Sequence, residues 1–188
     1  KPLILFMPKK LLRLAEAASS IEEFTDQQIE LVIDDSYVTD RDKVKRVLLC
    51  AGKVFYTLDK ARREHKIDDV AIIRLEQFYP LPKPELTAAL NKYRRVSEVS
   101  WVQEEPQNRG GWSYMQPLLR TMLPDVLVSY HGREAAASPA TGSAAMHEAE
   151  EKELVAMALD LAKNTTAIPP TTHGDTTPAG KSPAASVK

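Results

Sequence analysis

Short apolar runs alternate along this chain with segments of helical period, and this alternation constrains the fold more than any other feature. The runs are rich in β-branched side chains and only five or six residues long, which favours strands over helices. The predicted strands are LILFM (3–7), ELVID (30–34), RVLLC (46–50), VAIIRL (70–75), VSWVQ (99–103) and VLVSY (126–130). Near-continuous apolar runs of this kind are typical of strands that are buried on both faces of a sheet.

Four other segments carry apolar side chains at helical spacing. Their stripes are Val54, Leu58 and Ala61; Leu86, Ala89, Leu90 and Tyr93; Trp112, Met115, Leu119 and Met122; and Leu154, Met157, Ala158 and Leu161. Strands that alternate with helices indicate a parallel sheet with right-handed crossovers and helices on both faces. The sequence therefore predicts an α/β domain with a mainly parallel sheet, in which residues 35–43 form a polar loop.

Composition narrows the class of function. The 188 residues carry a net charge of −1, so the balance of charge indicates neither a nucleic acid nor an anionic membrane as partner. The single cysteine, Cys50, rules out an internal disulfide and fits a reducing compartment. Residues 164–188 are rich in Thr, Pro and Ala and are predicted to form a disordered tail after a domain at 1–163. The apolar start without a methionine predicts a piece of a longer polypeptide.

Ligands of parallel sheets bind beyond the carboxyl ends of the strands, so the residues that follow the predicted strands are the first candidates for a site. Possible anion contacts there are Gly52, Lys53, Gln77 and Arg133. Gly52 and Lys53 stand between a strand and a helix, where a helix N-terminus can hold an anion. One glycine is not a phosphate loop, however, and a tight strand-to-helix turn explains the same residues.

No other pattern predicts chemistry that this chain could perform alone. Adjacent strand residues point to opposite faces, so Glu104 and Glu105 would not share a substrate as an acid and base, and each more readily accepts hydrogen bonds from a neighbouring loop. The four histidines lack the spacing of a metal site. Cys50 lies on a buried strand, where a thiol is inert. Two hypotheses remain: an assembly domain of a larger enzyme, or an independent module that binds an anionic ligand.

The stretch SWVQEEPQNRGGW (100–112) resembles the QEEP-x-N-Q-G-x-W motif of the 2-oxoglutarate dehydrogenases, the thiamine-diphosphate-dependent decarboxylating enzymes. Four further segments resemble the same family in the same order. They are LILFMPKKLLRLAEAASSIEEF (3–24), KRVLLCAGKVFYTL (45–58), DVAIIRLEQFYPLP (69–82) and GREAAASPATGSAAMHEAEEKEL (132–154). The resemblance covers nearly the whole chain except the tail. Departures from the family pattern are Ala51, Arg109, Gly111, Glu134 and Ala136.

This resemblance implies the third domain of a transketolase-like enzyme, with a mixed, mostly parallel sheet of five to six strands. The enzyme would be a homodimer that binds thiamine diphosphate and Mg²⁺ in its other domains. It would decarboxylate 2-oxoglutarate in the tricarboxylic acid cycle and pass the succinyl group to the lipoyl group of a succinyltransferase, in a complex with dihydrolipoyl dehydrogenase. This chain would then contain no catalytic residue and would support the dimer and the active-site architecture.

The resemblance also implies a structural or interface role for the motif residues, which are Gln103, Glu104, Glu105, Pro106, Asn108, Gly110 and Trp112. Glu104 and Glu105 would pair with groups outside this chain, and Gly110 would permit close approach of the backbone. Trp112 would anchor a helix. Together with the apolar helix stripes, it predicts an exposed apolar patch on the isolated chain.

Substrate, location and regulation follow only as expectations. The sibling 2-oxoadipate dehydrogenases have similar segments and remain an alternative. The location would be the bacterial cytoplasm or the mitochondrial matrix. Some relatives bind acetyl-CoA on this domain through basic residues after the LEQ segment and through a Lys and a Ser on the second strand. Here the corresponding residues are Lys83, Pro84 and Glu85, with Gln28 and Leu31, so the sequence predicts that this site is absent.

Overall fold

The computed structural model describes residues 2–4 and 7–161, which form a five-stranded mixed sheet with helices on both faces. The strand order is β1-β3-β2-β4-β5, and only β1 runs antiparallel to its neighbour. The strands are β1 (Val32–Ile33), β2 (Arg46–Cys50), β3 (Val70–Leu75), β4 (Glu98–Pro106) and β5 (Leu127–Arg133). The predicted fold class is confirmed.

Five α-helices accompany the sheet, and local signals start several of them. They are α1 (Ile21–Thr25), α2 (Val54–Glu64), α3 (Lys83–Leu90), α4 (Trp112–Met122) and α5 (Ala144–Ala158). Pro84 lies in the first turn of α3, where its missing N–H has no helical partner to lose. Ser143 caps α5 by accepting a hydrogen bond from the backbone N–H of Met146. Short 3₁₀ helices of five, three and three residues lie at Lys9–Arg13, Ala15–Ala17 and Arg41–Lys43.

Alternate residues of the strands build two separate cores. One face of the sheet packs against α3 and α4, with Trp101 at its centre and the predicted stripes of both helices buried against it. The other face packs against α2 and α5 through Leu48, Ile72 and Val102. Because side chains alternate along a strand, both cores draw on the same short apolar runs. This explains why those runs contain almost no polar residue.

Two expectations about the fold are wrong. The first predicted strand is not formed at Leu3, Ile4 and Met7, whose side chains are exposed; the two residues between them lie outside the described part of the chain. An apolar run forms a strand only where a sheet edge pairs with its backbone, and no such pairing involves these described residues. In α5, Met157 is exposed, and Val155 and Leu159 are buried in its place.

The predicted polar loop at 35–43 contains a buried ion pair that the sequence did not reveal. Asp35 is 6% exposed and Arg62 is 1% exposed, and their side chains form a salt bridge. The Asp35 carboxylate also accepts hydrogen bonds from the backbone N–H groups of Tyr37 at 2.8 Å and Ile72 at 2.6 Å. It therefore supplies an acceptor to β3 just beyond the point where β1 ends. Arg62 lies on α2, so its salt bridge with Asp35 ties the loop to that helix, and within the helix Arg62 also donates to Asp59 at 2.5 Å.

Candidate functional site

Two of the predicted site residues, Lys53 and Glu104, meet at the carboxyl ends of β2 and β4, where Lys53 lies between two carboxylates. Its Nζ is 2.5 Å from Oε1 of Glu104 and 3.0 Å from Oε1 of Glu151 on α5. Burial alone lowers the pKa of Lys53, but the two carboxylates raise it above its usual value overall. Burial likewise raises the pKa of Glu151, and Lys53 brings it below its usual value. The stabilisation from Glu151 is therefore present at neutral pH and is lost as the pH falls through that lowered pKa.

Arg133, at the end of β5, holds the same helix through different residues. Its Nε is 2.8 Å from Oε2 of Glu150, and its guanidinium lies 2.6 Å from Nδ1 of His147. Lys53 and Arg133 were both predicted as possible anion contacts, and both already have carboxylate partners on α5. A small anion would have to compete with those carboxylates. The arrangement therefore fixes α5 to the sheet edge.

The other two candidate anion contacts lie in turns. Gly52 has a φ of +70° and an added Cβ would meet nothing within 4 Å, so the positive φ is the reason for glycine there. This geometry supports the tight turn between β2 and α2. Gln77 follows β3 and its side-chain amide donates to the carbonyl of Pro80 at 2.7 Å. The four residues are thus not gathered around one empty anion site.

Glu104 and Glu105 differ in their surroundings. Glu104 is partly buried and finds its partner, Lys53, inside this chain. The expectation that it pairs with a group outside the chain is therefore wrong, because the turn after β2 brings an ammonium group directly to it. The Glu105 side chain is exposed, and the hydrogen bonds that Tyr130 and Gln103 donate to this residue, at 3.1 and 3.2 Å, go to its backbone carbonyl. Its carboxylate has no partner in residues 2–4 and 7–161.

Glu104, His147 and Glu151 form a group that spacing along the chain could not indicate. Their potential ligand atoms lie within 4.8 Å of one another, although the sequence pattern predicted no metal site. Lys53 already places an ammonium group between the two carboxylates. A divalent cation would have to displace that charge, and Arg133 adds a second positive charge beside His147. The group is therefore a salt-bridge cluster with a cation of its own.

Gln103 organises the loop that carries the motif, and this role was not predicted from the sequence. Its side-chain Nε2 donates to three carbonyl oxygens, those of Glu105 at 3.2 Å, Pro106 at 3.1 Å and Arg109 at 2.7 Å. Its Oε1 accepts from the indole of Trp101 at 2.8 Å and from two backbone N–H groups, Gly111 and Trp112, both at 3.0 Å. One amide that is 4% exposed thus lies within hydrogen-bond distance of six polar groups around the turn from β4 to α4, and its two N–H groups are shared among the three carbonyls.

The two loops at this edge are also bonded to each other. Asn108 and the backbone of Ala136 exchange two hydrogen bonds, both of 3.1 Å. The Arg109 guanidinium donates to the carbonyl of Ala137 at 2.7 Å. Gly110 has a φ of +64°, and an added Cβ would lie 3.0 Å from the Gln103 amide, so both conformation and space require glycine there. We call residues 103–111 and 133–138 together the edge platform.

Trp112 anchors the start of α4 as the resemblance implied, but it does not form an exposed patch. It is 7% exposed, and its ring centroid lies 5.2 Å from that of Tyr130. Its burial follows from Gln103, which holds the Trp112 backbone against β4. The expectation of an apolar patch built from Trp112 and the helix stripes is wrong, because Met157, at 45%, is the single exposed side chain among the described stripe residues. Exposed apolar side chains are instead concentrated before β1, where Ile29 is 88% exposed.

The remaining nucleophiles and bases lack catalytic partners in the described part of the chain. Burial raises the pKa of the Cys50 thiol to about 12, which keeps it protonated and inert. Burial also lowers the pKa of His131, and its Nε2 is buried without a hydrogen-bond partner. Among residues 2–4 and 7–161, no serine or cysteine side chain donates to a histidine. None of the described helices is both long and apolar enough to span a membrane.

Residues 18–159 match the family described as 2-oxoglutarate dehydrogenase C-terminal. The chain belongs to this family. A 2-oxoglutarate dehydrogenase E1 component from Cupriavidus necator is 42% identical over 156 residues, which cover 82% of this chain and 16% of the relative. The corresponding protein from a Geobacillus strain is 44% identical over 164 residues, covering 85% of this chain and 17% of the relative. A multifunctional 2-oxoglutarate metabolism enzyme from Mycobacterium is 42% identical, covering 82% of this chain and 13% of the relative.

These comparisons confirm the predicted family, and they also show that this chain corresponds to only a small part of its relatives. The chain spans about a sixth of the length of the curated 2-oxoglutarate dehydrogenase relatives reported above. In the 2-oxoglutarate dehydrogenase C-terminal domain described here, the edge platform and the Lys53 cluster hold the ends of three strands and α5 together.

Glu104 is partly buried and paired, whereas Glu105 is exposed, so the same substitution at the two positions should affect stability differently. We expect Glu104→Gln to lower the free energy of unfolding by about 1–2 kcal/mol, because it removes one carboxylate from a partly buried ammonium group. Glu105→Gln makes the same chemical change on an exposed side chain and should alter stability by less than about 0.5 kcal/mol. Urea denaturation of both variants measures this difference. Equal effects would contradict the assignment of Glu104 as the internal partner of Lys53.

Proposed function

We propose that this chain is the C-terminal assembly domain of a 2-oxoglutarate dehydrogenase and that catalysis takes place elsewhere in the longer enzyme. One observation carries the proposal. The cations predicted as anion contacts at the carboxyl edge of the sheet are already paired, with Lys53 between Glu104 and Glu151 and Arg133 beside Glu150. A catalytic cleft needs groups that remain available to a substrate, whereas these groups fix loops and a helix.

The whole enzyme would decarboxylate 2-oxoglutarate and transfer the succinyl group to the lipoyl group of a succinyltransferase, in a complex with dihydrolipoyl dehydrogenase. Thiamine diphosphate and Mg²⁺ would supply the decarboxylation chemistry of the whole enzyme. The described residues do not fit this cofactor: the three-residue group that could approach a metal is filled by Lys53, and the sheet edge has no glycine-rich phosphate loop. We therefore place thiamine diphosphate and Mg²⁺ in other domains of a homodimer.

The relatives' names support 2-oxoglutarate over 2-oxoadipate as substrate, since they are called 2-oxoglutarate dehydrogenases. The independent anion-binding module is less well supported, because its candidate cations are already paired. A single buried Cys50 is compatible with the reducing conditions of a bacterial cytoplasm or a mitochondrial matrix.

The proposal is tested by removing this domain from the longer enzyme. We expect an enzyme that ends before the segment equivalent to residues 1–163 to lose dimer formation and release of CO₂ from 2-oxoglutarate together. Sedimentation and a CO₂-release assay with thiamine diphosphate and Mg²⁺ measure the two properties. Full activity in a dimer without the domain would overturn the assembly role.

We infer that acetyl-CoA does not bind to this domain. Gln77 is present, but its amide is bonded to the Pro80 carbonyl, and the residues where relatives have a basic run are Lys83, Pro84 and Glu85. A coenzyme with several phosphates needs more cations than this segment offers. Calorimetric titration of the full-length enzyme should show no binding at this domain. Micromolar affinity that is lost when Gln77 is replaced would contradict the inference.

A further inference from the structure

Among the described residues, most of the strongly exposed apolar side chains lie on one segment, residues 2–4 and 7–30, which we call the N-terminal arm. Seven of its large apolar side chains are 55–88% exposed. They are Leu3, Ile4, Met7, Leu12, Ile21, Phe24 and Ile29. Single exposed apolar residues are ordinary on a protein surface, but a concentration of this kind marks a surface that a partner covers.

The arm packs only loosely against the rest of its own domain. None of its described residues is buried, and only Leu11, Leu14 and Ala17 are partly buried. Two cavities, of about 530 and 760 Å³, lie between the arm and the body of the domain and are lined on the body side by residues of α2 such as Tyr56 and Asp59. The body of the domain therefore does not provide the cover that these apolar side chains need.

The arm nevertheless has local structure of its own. Two 3₁₀ turns, Lys9–Arg13 and Ala15–Ala17, precede α1. Ser20 and Glu23 form a capping box at the start of α1, in which each side chain accepts a hydrogen bond from the other's backbone N–H, at 3.3 and 3.0 Å. A segment whose turns already form presents its apolar side chains in a fixed arrangement, and ordering it on a partner costs less conformational entropy.

We propose that the N-terminal arm docks into an apolar groove on the remainder of the longer polypeptide. This proposal rests on the proposed function, since it takes the chain as one domain of a larger enzyme. The relatives are about six times longer than the matched region, and the matched family is their carboxyl-terminal part, so most of the polypeptide precedes the arm. The arm is therefore the part of the described residues that lies nearest in sequence to the polypeptide that would cover it.

The charges of the arm specify the groove further. Lys9, Lys10 and Arg13 make its first half positive. The second half is negative, through Glu16, Glu22, Glu23, Asp26 and Glu30. A complementary groove has an apolar floor, acidic side chains facing residues 9–13 and basic side chains facing residues 16–30. A second copy of the same arm, antiparallel to the first, would also match these charges, so the test must separate the two occupants.

Cysteine labelling tests the proposal without relying on activity. Phe24→Cys and Ile29→Cys place a thiol on the arm, and Leu127→Cys places one on β5, where the side chain is also exposed, at 63%. Cys50 is the only native cysteine of this chain and is fully buried, so it gives little background. Each position is labelled with a maleimide and followed by peptide mass spectrometry, in the full-length enzyme and in the 188-residue chain.

We expect labelling at positions 24 and 29 to be at least about tenfold slower in the full-length enzyme than in the dilute 188-residue chain, and to be slowed more than labelling at position 127. Equally fast labelling in both proteins would overturn the proposal. Protection that appears in the 188-residue chain as its concentration rises would also overturn it, because the occupant would then be a second copy. Neither result depends on the CO₂-release assay, so failure of the proposed function is recognised separately.

Discussion

Replacing Gln103 with leucine is expected to lower the free energy of unfolding by about 3–5 kcal/mol. Leucine fills a similar volume but provides no acceptor for the N–H groups of Gly111, Trp112 and the Trp101 indole, and no donor for the carbonyls of the turn. The Trp101 indole, the Trp112 N–H and the Pro106 carbonyl make buried hydrogen bonds, so each one left unpaired carries a desolvation cost. Urea denaturation followed by tryptophan fluorescence measures the change, because both tryptophans of the chain contact Gln103.

Gln107 provides the matched control for this prediction. It lies in the same loop, and its side chain is exposed; only its backbone N–H is bonded, to Arg133 at 3.0 Å. Gln107→Leu should therefore change the free energy of unfolding by less than about 0.5 kcal/mol. Gln103→Glu should be nearly as damaging as leucine, because a carboxylate cannot donate to three carbonyl oxygens. If leucine at the two positions had the same small effect, the turn would not depend on the Gln103 amide.

The second large effect is expected at the buried ion pair of Asp35 and Arg62. Arg62→Met keeps the length of the side chain but leaves the Asp35 carboxylate without its cation, in a site where Asp35 is 6% exposed. Removing one partner of a buried pair typically costs about 3–5 kcal/mol, so we expect a loss of this size. Thermal and urea denaturation measure it. Hydrogen exchange should also become faster at Tyr37, whose N–H is bonded to Asp35.

Arg63 is the neighbouring control on the same helix. It pairs with Asp59 at 2.7 Å, but its side chain is 51% exposed. Arg63→Met should cost less than about 1 kcal/mol, since solvent screens exposed ion pairs. Adding Asp35→Asn to Arg62→Met should recover part of the stability, because it removes the unpaired charge. A double variant less stable than Arg62→Met alone would indicate that Asp35 acts through its backbone contacts and not through its charge.

The two central strands β2 and β3 and the helices on the Trp101 face could be predicted from the sequence. The bounds of β2 and β3 agree with the apolar runs at 46–50 and 70–75, because both strands are buried on both faces and each run is bounded by charged or turn-forming residues. The helices on the Trp101 face were predicted from their stripes for the same reason, since those stripes are buried or nearly so. Where residues are buried in the core, their apolar spacing in the sequence predicts the strand or helix clearly.

The contacts at the sheet edge could not be predicted, because they join residues that are distant in sequence. Nothing local to Lys53 indicates that Glu104 and Glu151 will face it, and nothing in the loop at Asp35 indicates Arg62. Gln103 was recognised as part of a motif, but an amide that bonds six groups looks in sequence like any other glutamine. The run at 3–7 was predicted as a strand because apolar side chains predict burial without indicating which surface will bury them.

We propose that this chain supports an enzyme without holding its catalytic groups. The most direct measurement is release of CO₂ from 2-oxoglutarate by the purified 188-residue chain with thiamine diphosphate and Mg²⁺. We expect no turnover above a blank without protein, and recovery of activity only when the chain is part of the full-length enzyme. Sustained turnover by the chain alone, abolished by replacing Glu104 or His147, would contradict the claim.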